Sequence, residues 1–386
     1  MLTAALLGTI LLQQPMAPPQ ANVVLKQDKA EEQHQKTLKD DVEMGKRSIV
    51  EVEKTEKISE NKEYIDRVNR IGQELAAIAQ KEKVEVWWGD KRLNRFDYTF
   101  KVLKGEDVNA FSIPGGFIYV YEGLVKYAQS DDEIAAVLAH EISHAEQRHI
   151  PTLIHNANKL TTPAFIAVLL AIVSGDANAI GSTLMIGSNV IQAYTSKWSV
   201  EAEKSADHGG FQYMLKSKYN GTGMLTFMER LALDEHNDAA RNINWGIYQT
   251  HPPGRERADA ILTDMKRWNV PVQRSAVTTR FKADVKPGKE GVDIWFNNRK
   301  IYTFAGTDAL KRADEAAAKL NRLFDQEPSL YEISADGDDV IGRRAIVFKV
   351  DSDDAQAANK TKHELASDAV QAIKSSLYNY AFNVWR

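Results

Sequence analysis

One short stretch of the sequence combines residues that bind a metal ion with a residue that can act as a base. His140, Glu141 and His144 form an HExxH motif. Residues four apart on a helix share a face, so the two imidazoles can bind one zinc ion together. Glu141 follows His140 directly, where its carboxylate can reach a metal-bound water without binding the metal. The motif therefore predicts one Zn²⁺ per chain and metal-assisted hydrolysis, with Glu141 as the base.

The flanking residues predict the helix that positions this motif. Acidic residues at 131–133 favour the positive end of a helix, and Ile134, Val137 and Leu138 supply an apolar face. His149 does not match the spacing of the third histidine in the HExxHxxGxxH pattern. We therefore expect His149 to lie on the surface near the end of this helix.

A carboxylate pair later in the chain supplies the predicted third ligand. Glu203 and Asp207 are four residues apart and would share one helix face. A glutamate can complete a His₂Glu site that leaves the fourth position for water. Asp207, one turn further on, could accept the spare N–H of a ligand histidine and so orient that ring. Glu201 is the competing ligand, but Ser205 stands four residues after it, where a second carboxylate would be needed.

The stretch Asn109–Tyr121 predicts a turn followed by a strand. Pro114, Gly115 and Gly116 interrupt it, and Phe117–Tyr121 is rich in strand-forming residues. A proline beside a strand favours the edge of a sheet, where free N–H and C=O groups can pair with an extended peptide. The alternative is a plain turn and strand without a role in binding.

Composition limits the class of protein. The chain has 386 residues, enough for two or three domains, with 43% hydrophobic and 26% charged residues, as in ordinary soluble globular proteins. The net charge of −4 gives no indication of nucleic-acid binding. The absence of cysteine excludes disulfides and thiolate metal ligands.

Changes in composition divide the chain into four regions. Residues 1–21 contain the apolar run Ala4–Leu12, which is too short to span a bilayer and predicts a secretory signal, although no basic residue precedes it. Residues 22–57 predict a charged, solvated helical arm, and residues 58–268 contain the metal motif. Residues 269–386 predict a small α+β module with no motif for chemistry, for which we expect a binding or regulatory role.

A split apolar region follows the metal motif at 163–193. Each half is shorter than the roughly 20 residues of a spanning helix. A buried helical hairpin is favoured over one that dips into a membrane. Membrane association, if the protein has any, would use this hairpin or the N-terminal segment.

Together these residues resemble peptidase family M48, a family of zinc metallopeptidases. The resemblance runs from about Val42 to Ile261. It rests on separate motifs in the family's order, namely Tyr64 with Val68–Leu75, Asn109–Phe111, Pro114–Gly116, Glu122–Leu124, the HExxH motif, the Glu203/Asp207 pair, and His251 with Arg257. The resemblance implies an α+β fold: a mostly helical, zincin-like metallopeptidase core with a small edge-strand sheet, plus the C-terminal module.

The resemblance also implies roles for individual residues. It makes His140, His144 and Glu203 the zinc ligands, Glu141 the catalytic base and Asp207 the partner of a ligand histidine. The residues that it implies for substrate binding lead into the edge strand that pairs with substrate, and they are Asn109, Ala110, Phe111, Pro114, Gly115 and Gly116. Two departures stand out, because His208 replaces a common arginine and Ser143 a common glycine.

The resemblance places His251 and Arg257 at the metal centre. Taken alone, His251 belongs to a helix start that Pro252 and Pro253 introduce. The resemblance gives this histidine one of two roles: it steadies the oxyanion of the reaction, or it caps zinc in a resting state.

The predicted function is a zinc endopeptidase that cleaves proteins or peptides. The split hairpin favours the soluble, cell-envelope branch of the family, with a role in protein quality control in the periplasm or after secretion. The protein would be cytoplasmic if the N-terminal segment is not a signal. The alternative is a zinc-bound chaperone or scaffold that holds client proteins in the same groove with little proteolysis.

Overall fold

The structure is a computed structural model that describes residues 21–156, 197–237 and 254–385. The predicted signal segment up to residue 20, the apolar hairpin at 163–193 and His251 lie outside the described residues. Those predictions therefore stay predictions.

Helices dominate the described part of the chain, which also contains three small sheets. The described helices are α1 (Ala21–Thr55), α2 (Lys62–Ala79), α3 (Glu122–Tyr127), α4 (Asp131–Glu146), α5 (His149–Asn156), α6 (Lys197–Lys216), α7 (Thr222–Asn237), α8 (Gly254–Arg267), α9 (Arg274–Val277), α10 (Ala309–Asp325), α11 (Ser352–Ala358) and α12 (Lys362–Trp385). The strands are β1 (Thr99–Leu103), β2 (Ala110–Ile113), β3 (Phe117–Tyr121), β4 (Ala283–Pro287), β5 (Val292–Phe296), β6 (Arg299–Phe304), β7 (Ile333–Asp336), β8 (Asp339–Gly342) and β9 (Ala345–Lys349). This architecture confirms the predicted α+β class.

The first sheet has the order β1-β3-β2. The central strand β3 pairs in parallel with β1, with Thr99 opposite Phe117, and antiparallel with β2, with Ala110 opposite Val120. The prediction that Phe117–Tyr121 forms an edge strand is therefore wrong. The strand pairs on both sides, and the edge beside it belongs to the preceding strand β2.

Alternating side chains of this sheet build two separate cores. On one face, Phe100, Ile118 and Val120 join the main core with α2, α4 and α7. On the other face, Phe111 and Tyr119 pack in a smaller core that α1 and α5 cover. The helices of the main core include both elements that bear the predicted metal ligands, so this core fixes their positions.

The predicted charged arm is helical, but it is not solvated all round. Its residues Leu38 and Val52 are buried, and Val52 belongs to the small core on the outer face of the sheet. Lys101 donates a short hydrogen bond to Glu53, which also accepts one from Tyr119 at 2.8 Å. Helix α1 is therefore packed against the sheet as part of the same structural unit.

The C-terminal module consists of two antiparallel three-stranded sheets and four helices, of which α9 is a single turn. Helix α10 contacts β4 and β5 of one sheet and β9 of the other, and α12 contacts β6 together with β7 and β8. Each long helix therefore packs on both sheets and closes one shared apolar core. None of the described helices is both long and apolar enough to cross a membrane.

A buried arginine links the module to the core. Arg274 donates to Glu229 of α7 and to Glu327 after α10, each at 2.7 Å, and its backbone N–H donates to Asp325. Only 2% of its side chain is exposed, so these carboxylates must compensate its charge. The domain boundary predicted at residue 268 stays a prediction.

Candidate metal centre

Two helices cross closely at the site because small residues line their contact. A Cβ atom on Gly210 of α6 would lie 2.9 Å from the backbone nitrogen of His140, and one on Gly209 would lie 2.3 Å from Ser143 Oγ. Neither position has room for a larger residue, so α6 packs directly against the backbone of α4. The HExxH motif and the Glu203/Asp207 pair consequently face each other.

Local sequence explains where the HExxH helix begins. The Ser130 side chain caps α4 by accepting a hydrogen bond from the backbone N–H of Glu133, and three acids occupy the first turn. The side chain of Glu133 is buried and pairs with Arg230 of α7. These contacts fix the start of the helix that positions His140 and His144 one turn apart.

The predicted ligands come together in the structure. His140 Nε2 lies 2.9 Å from His144 Nε2, and the Glu203 carboxylate lies 3.2 Å from His144 Nε2 and 3.4 Å from His140 Nε2. In a tetrahedral site with metal–ligand distances of roughly 2.0–2.1 Å, ligand atoms stand about 3.3 Å apart. The separations, the burial and the N₂O ligand set therefore fit a catalytic metal ion. Glu201, the competing ligand, is half-buried and does not belong to this group.

Asp207 contacts His140, the first predicted ligand, and Arg257 of α8 contacts Asp207. His140 Nδ1 lies 2.9 Å from Asp207 Oδ1, and Arg257 donates to both Asp207 oxygens at 2.7 Å. Burial raises the pKa of Asp207, but Arg257 and His140 outweigh burial and lower it to about 2. Arg257 Nη2 also lies 3.2 Å from His140 Nδ1, but it already donates to Asp207. Asp207 is therefore a carboxylate at neutral pH and can accept the His140 Nδ1–H.

Arg257 lies beside Glu203 and Asp207 in the candidate metal centre. Its Nη1 lies 3.7 Å from Glu203 Oε2, and only 6% of its side chain is exposed. Its Nε and Nη2 donate to Asp207, which contacts His140. In the structure Arg257 therefore acts as a clamp, because it holds Asp207 and through it the predicted ligand His140. A contact between Arg257 and the oxyanion stays a prediction.

Glu141 is buried within the same electrostatic cluster, with 2% of its surface exposed. Burial lowers the pKa of His144, and the charges of Glu203 and Glu141 partly oppose this effect. The position of Glu141 next to the ligand set is compatible with its predicted role as the base.

His149 is buried at the site, contrary to the sequence prediction of a surface histidine. Only 1% of its surface is exposed, and its Nδ1 lies 2.8 Å from His144 Nδ1. Its Nε2 lies 3.0 Å from the backbone oxygen of Trp88. The sequence prediction missed this contact because it did not include the left-handed turn at Arg148, directly after α4.

The two departures from the family pattern have partners in the structure. His208 is fully buried, with Nδ1 2.8 Å from Asp264 and its ring stacked on Trp87 at 3.9 Å. Ser143 accepts a hydrogen bond from Gln147 at 2.6 Å. Both residues therefore have hydrogen-bonding partners in the structure.

The predicted substrate-binding residues surround the edge strand β2. Asn109 accepts a hydrogen bond from the backbone of Tyr121 through its own carbonyl, and Ala110 and Phe111 begin the strand. Gly115 and Gly116 both have a φ of +90°, which favours glycine. Among the described residues, β2 forms the edge of the sheet next to this turn, and its pairing with substrate stays a prediction.

Comparisons with known proteins agree with this geometry. The sequence profile of peptidase family M48 matches residues 67–264, about half of the chain, and this span contains all the residues just described around the metal centre. The chain belongs to peptidase family M48. A second profile, a domain of unknown function called DUF8459, matches residues 255–380, which include the C-terminal module.

Several relatives share the M48 span. The chain is 31% identical to the beta-barrel assembly-enhancing protease of Escherichia coli O157:H7 over 170 residues, which are 42% of this chain and 34% of the relative. It is 27% identical to the metalloprotease LoiP of Escherichia coli K12 over 206 residues, 53% of this chain and 72% of LoiP. It is 28% identical to the mitochondrial metalloendopeptidase OMA1 of Saccharomyces cerevisiae over 161 residues, 42% and 43% of the two chains.

The chain thus spans about a third of the length of the beta-barrel assembly-enhancing relatives that it matches. Membership of family M48 confirms the predicted family and the predicted class of metallopeptidase. The group of His140, His144 and Glu203, which could hold a metal ion, lies within the matched span.

Proposed function

We propose that this M48 protein is a zinc-dependent endopeptidase that cleaves proteins or peptides, with zinc held by His140, His144 and Glu203. The observation that carries the proposal is the buried His₂Glu group with Glu141 beside it. Two imidazoles and one carboxylate are the ligand set of catalytic zinc sites, which keep an open position for water.

The proposed chemistry divides between the metal and the chain. Zinc, when bound, supplies a Lewis acid that polarises the scissile carbonyl and makes water a stronger nucleophile at neutral pH. Glu141 takes a proton from the attacking water and passes it to the leaving amine. The buried Asp207 and Arg257 keep His140 in place during these steps, because both of their charges are compensated within the site.

Stabilisation of the oxyanion belongs to the same proposal. The candidates are His251 and Arg257, as the resemblance implies. Arg257 uses Nε and Nη2 on Asp207, which leaves Nη1, 3.7 Å from Glu203, as the group that could turn towards substrate. His251 either fills the oxyanion role or caps zinc at rest.

We place the protein in the cell envelope, with a role in protein quality control. This part of the proposal is supported by the apolar run Ala4–Leu12, by the split apolar sequence at 163–193 and by a relative whose name refers to beta-barrel assembly. Extended peptide segments are the expected substrates because β2 is an edge strand near the HExxH helix.

The test is casein cleavage by the purified wild type and by Glu141→Gln. Glutamine is nearly isosteric with glutamate but cannot accept the proton, so the variant should keep zinc and fold yet lose turnover. Glu201→Gln is the matched control, because Glu201 lies on the same helix as Glu203 but outside the ligand set. An unchanged cleavage rate in Glu141→Gln would overturn the mechanism, and a zinc-loaded wild type that holds clients without cutting them would establish the chaperone alternative.

A further inference from the structure

We propose that His149 is a positioning residue that fixes the tautomer and the orientation of the metal ligand His144. The inference rests on the metal site of the proposed function, and it adds a residue that the HExxH and Glu203/Asp207 motifs do not contain. It is carried by a chain of hydrogen bonds that runs from a backbone carbonyl to the ligand nitrogen.

The direction of each hydrogen bond follows from the backbone end of this chain. The oxygen of Trp88 can only accept, so His149 Nε2, 3.0 Å away, must carry the proton. In the neutral ring, Nδ1 is then an acceptor. This atom lies 2.8 Å from His144 Nδ1, which must therefore be the donor. With its proton on Nδ1, His144 presents the lone pair of Nε2 to the metal.

His140 also carries its proton on Nδ1, but here the accepting group is the carboxylate of Asp207. Asp207 accepts from His140 Nδ1 at 2.9 Å, so Nε2 of that ring also presents a lone pair. The two Nε2 atoms lie 2.9 Å apart and face the Glu203 carboxylate. Lone pairs at this distance repel each other unless a cation lies between them. Asp207 and His149, which fix these two tautomers, therefore favour the binding of a metal ion.

A break in the helix explains how His149 reaches His144. Helix α4 ends at Glu146, and Arg148 has a φ of +53°, in the left-handed region that a residue other than glycine rarely adopts. The chain reverses there and brings the His149 ring back over the last turn. Arg148 is fixed in place by Asp41 of α1 at 2.5 Å and by Asp90 at 3.0 Å.

Further contacts hold the accepting groups still. Ser205 Oγ accepts from the backbone nitrogens of Trp87 and Trp88, both at 3.0 Å. Gln147 Oε1 lies 3.0 Å from His149 Nε2 and accepts from Ser205 Oγ at 2.6 Å. Since Ser205 lies two residues after Glu203 on α6, the helix that supplies the third ligand also supports the partner of the second.

The experiment compares zinc affinity, measured by competition with a chromophoric chelator, among His149→Leu, His149→Asn and wild type. Leucine fills similar space without an acceptor, so affinity should fall about 10–100-fold. The Oδ1 atom of asparagine can replace the Nδ1 acceptor, so His149→Asn should stay within about threefold of wild type. The matched control is His155→Leu, because His155 is exposed on α5 and should leave affinity unchanged.

A second readout does not depend on the variants. In ¹⁵N-histidine NMR of the wild-type chain, the inference expects His149 with its proton on Nε2 and His144 with its proton on Nδ1. The opposite tautomer of His149 would overturn the inference, even if His149→Leu did not fold. Folded His149→Leu with wild-type zinc affinity would overturn it as well. Absence of zinc binding in the wild type is a different result, because it would overturn the proposed function itself.

Discussion

Replacement of Arg257 by glutamine distinguishes a clamp on the ligand set from a group that acts on the reacting atoms. Arg257 is buried and donates twice to Asp207 at 2.7 Å. The variant leaves the Asp207 carboxylate buried without its cation. We expect lower stability and weaker metal binding, because Asp207 also orients His140.

The magnitude follows from the pKa of Asp207. The folded pKa of about 2 compares with an ordinary value of 3.8. At 1.36 kcal/mol per pKa unit, this difference corresponds to roughly 2.4 kcal/mol of stability at neutral pH. Breaking a buried ion pair by removing one partner costs about 3–5 kcal/mol, since the remaining charge stays desolvated. We therefore expect the free energy of unfolding of Arg257→Gln to fall by about 2–5 kcal/mol.

The sign of the pH dependence is also fixed. The pKa of Asp207 is depressed in the folded state, so its contribution is fully present above about pH 4 and is lost as the pH falls towards 2. The difference in the free energy of unfolding between the wild type and Arg257→Gln should therefore be largest at pH 7 and should become smaller as Asp207 is protonated. Urea denaturation at several pH values measures it.

Lys62→Gln is the matched control, because Lys62 pairs with Asp66 on the surface and its removal should leave stability unchanged. An unfolding free energy of Arg257→Gln within 1 kcal/mol of wild type, with unchanged zinc affinity, would refute the clamp. If turnover alone then fell by about 10²–10³, Arg257 would act on the oxyanion instead.

Three further predictions address other parts of the structure. Burial raises the pKa of Glu146 to about 8, so the stability of the wild type should fall as the pH rises from about 4.5 to 8. Glu146→Gln should be more stable than the wild type by on the order of 3 kcal/mol at pH 8 and similarly stable at pH 5. Equal thermal denaturation of the two proteins at both pH values would contradict this. Gly210→Ala should force α4 and α6 apart, lowering stability by about 1–3 kcal/mol and reducing bound zinc, and a wild-type unfolding curve would contradict the close crossing. His251→Ala should raise basal casein cleavage if this histidine caps zinc, whereas a fall of about 10²–10³ would assign it to the oxyanion and activity within twofold would remove both roles.

The parts of the site that depend on helical spacing could be predicted from the sequence. His140 and His144, like Glu203 and Asp207, are separated by one helical turn, and their distance along the chain determines which way they face. The choice of Glu203 over Glu201 also followed from spacing, because only Glu203 has a carboxylate four residues further on. The structure places these four residues together.

The parts that depend on chain reversals and long-range pairing could not be predicted in this way. The burial of His149 requires a left-handed residue at Arg148, and arginine gives no local signal for that conformation. The central position of β3 depends on its parallel pairing with β1, which lies before β2 in the chain. Pro114 correctly indicated a nearby sheet edge, but the edge strand is β2, which directly precedes this proline, and not β3.

The zinc content of the purified Glu203→Ala and Glu201→Ala variants, measured beside the wild type by inductively coupled plasma mass spectrometry, tests the proposed metal centre most directly. The carboxylate of Glu203 faces both ligand histidines, whereas Glu201 lies outside the group. We predict one zinc per chain in the wild type and in Glu201→Ala, and almost none in Glu203→Ala. A full equivalent of zinc in Glu203→Ala, or its loss from Glu201→Ala instead, would contradict the assignment of the ligands.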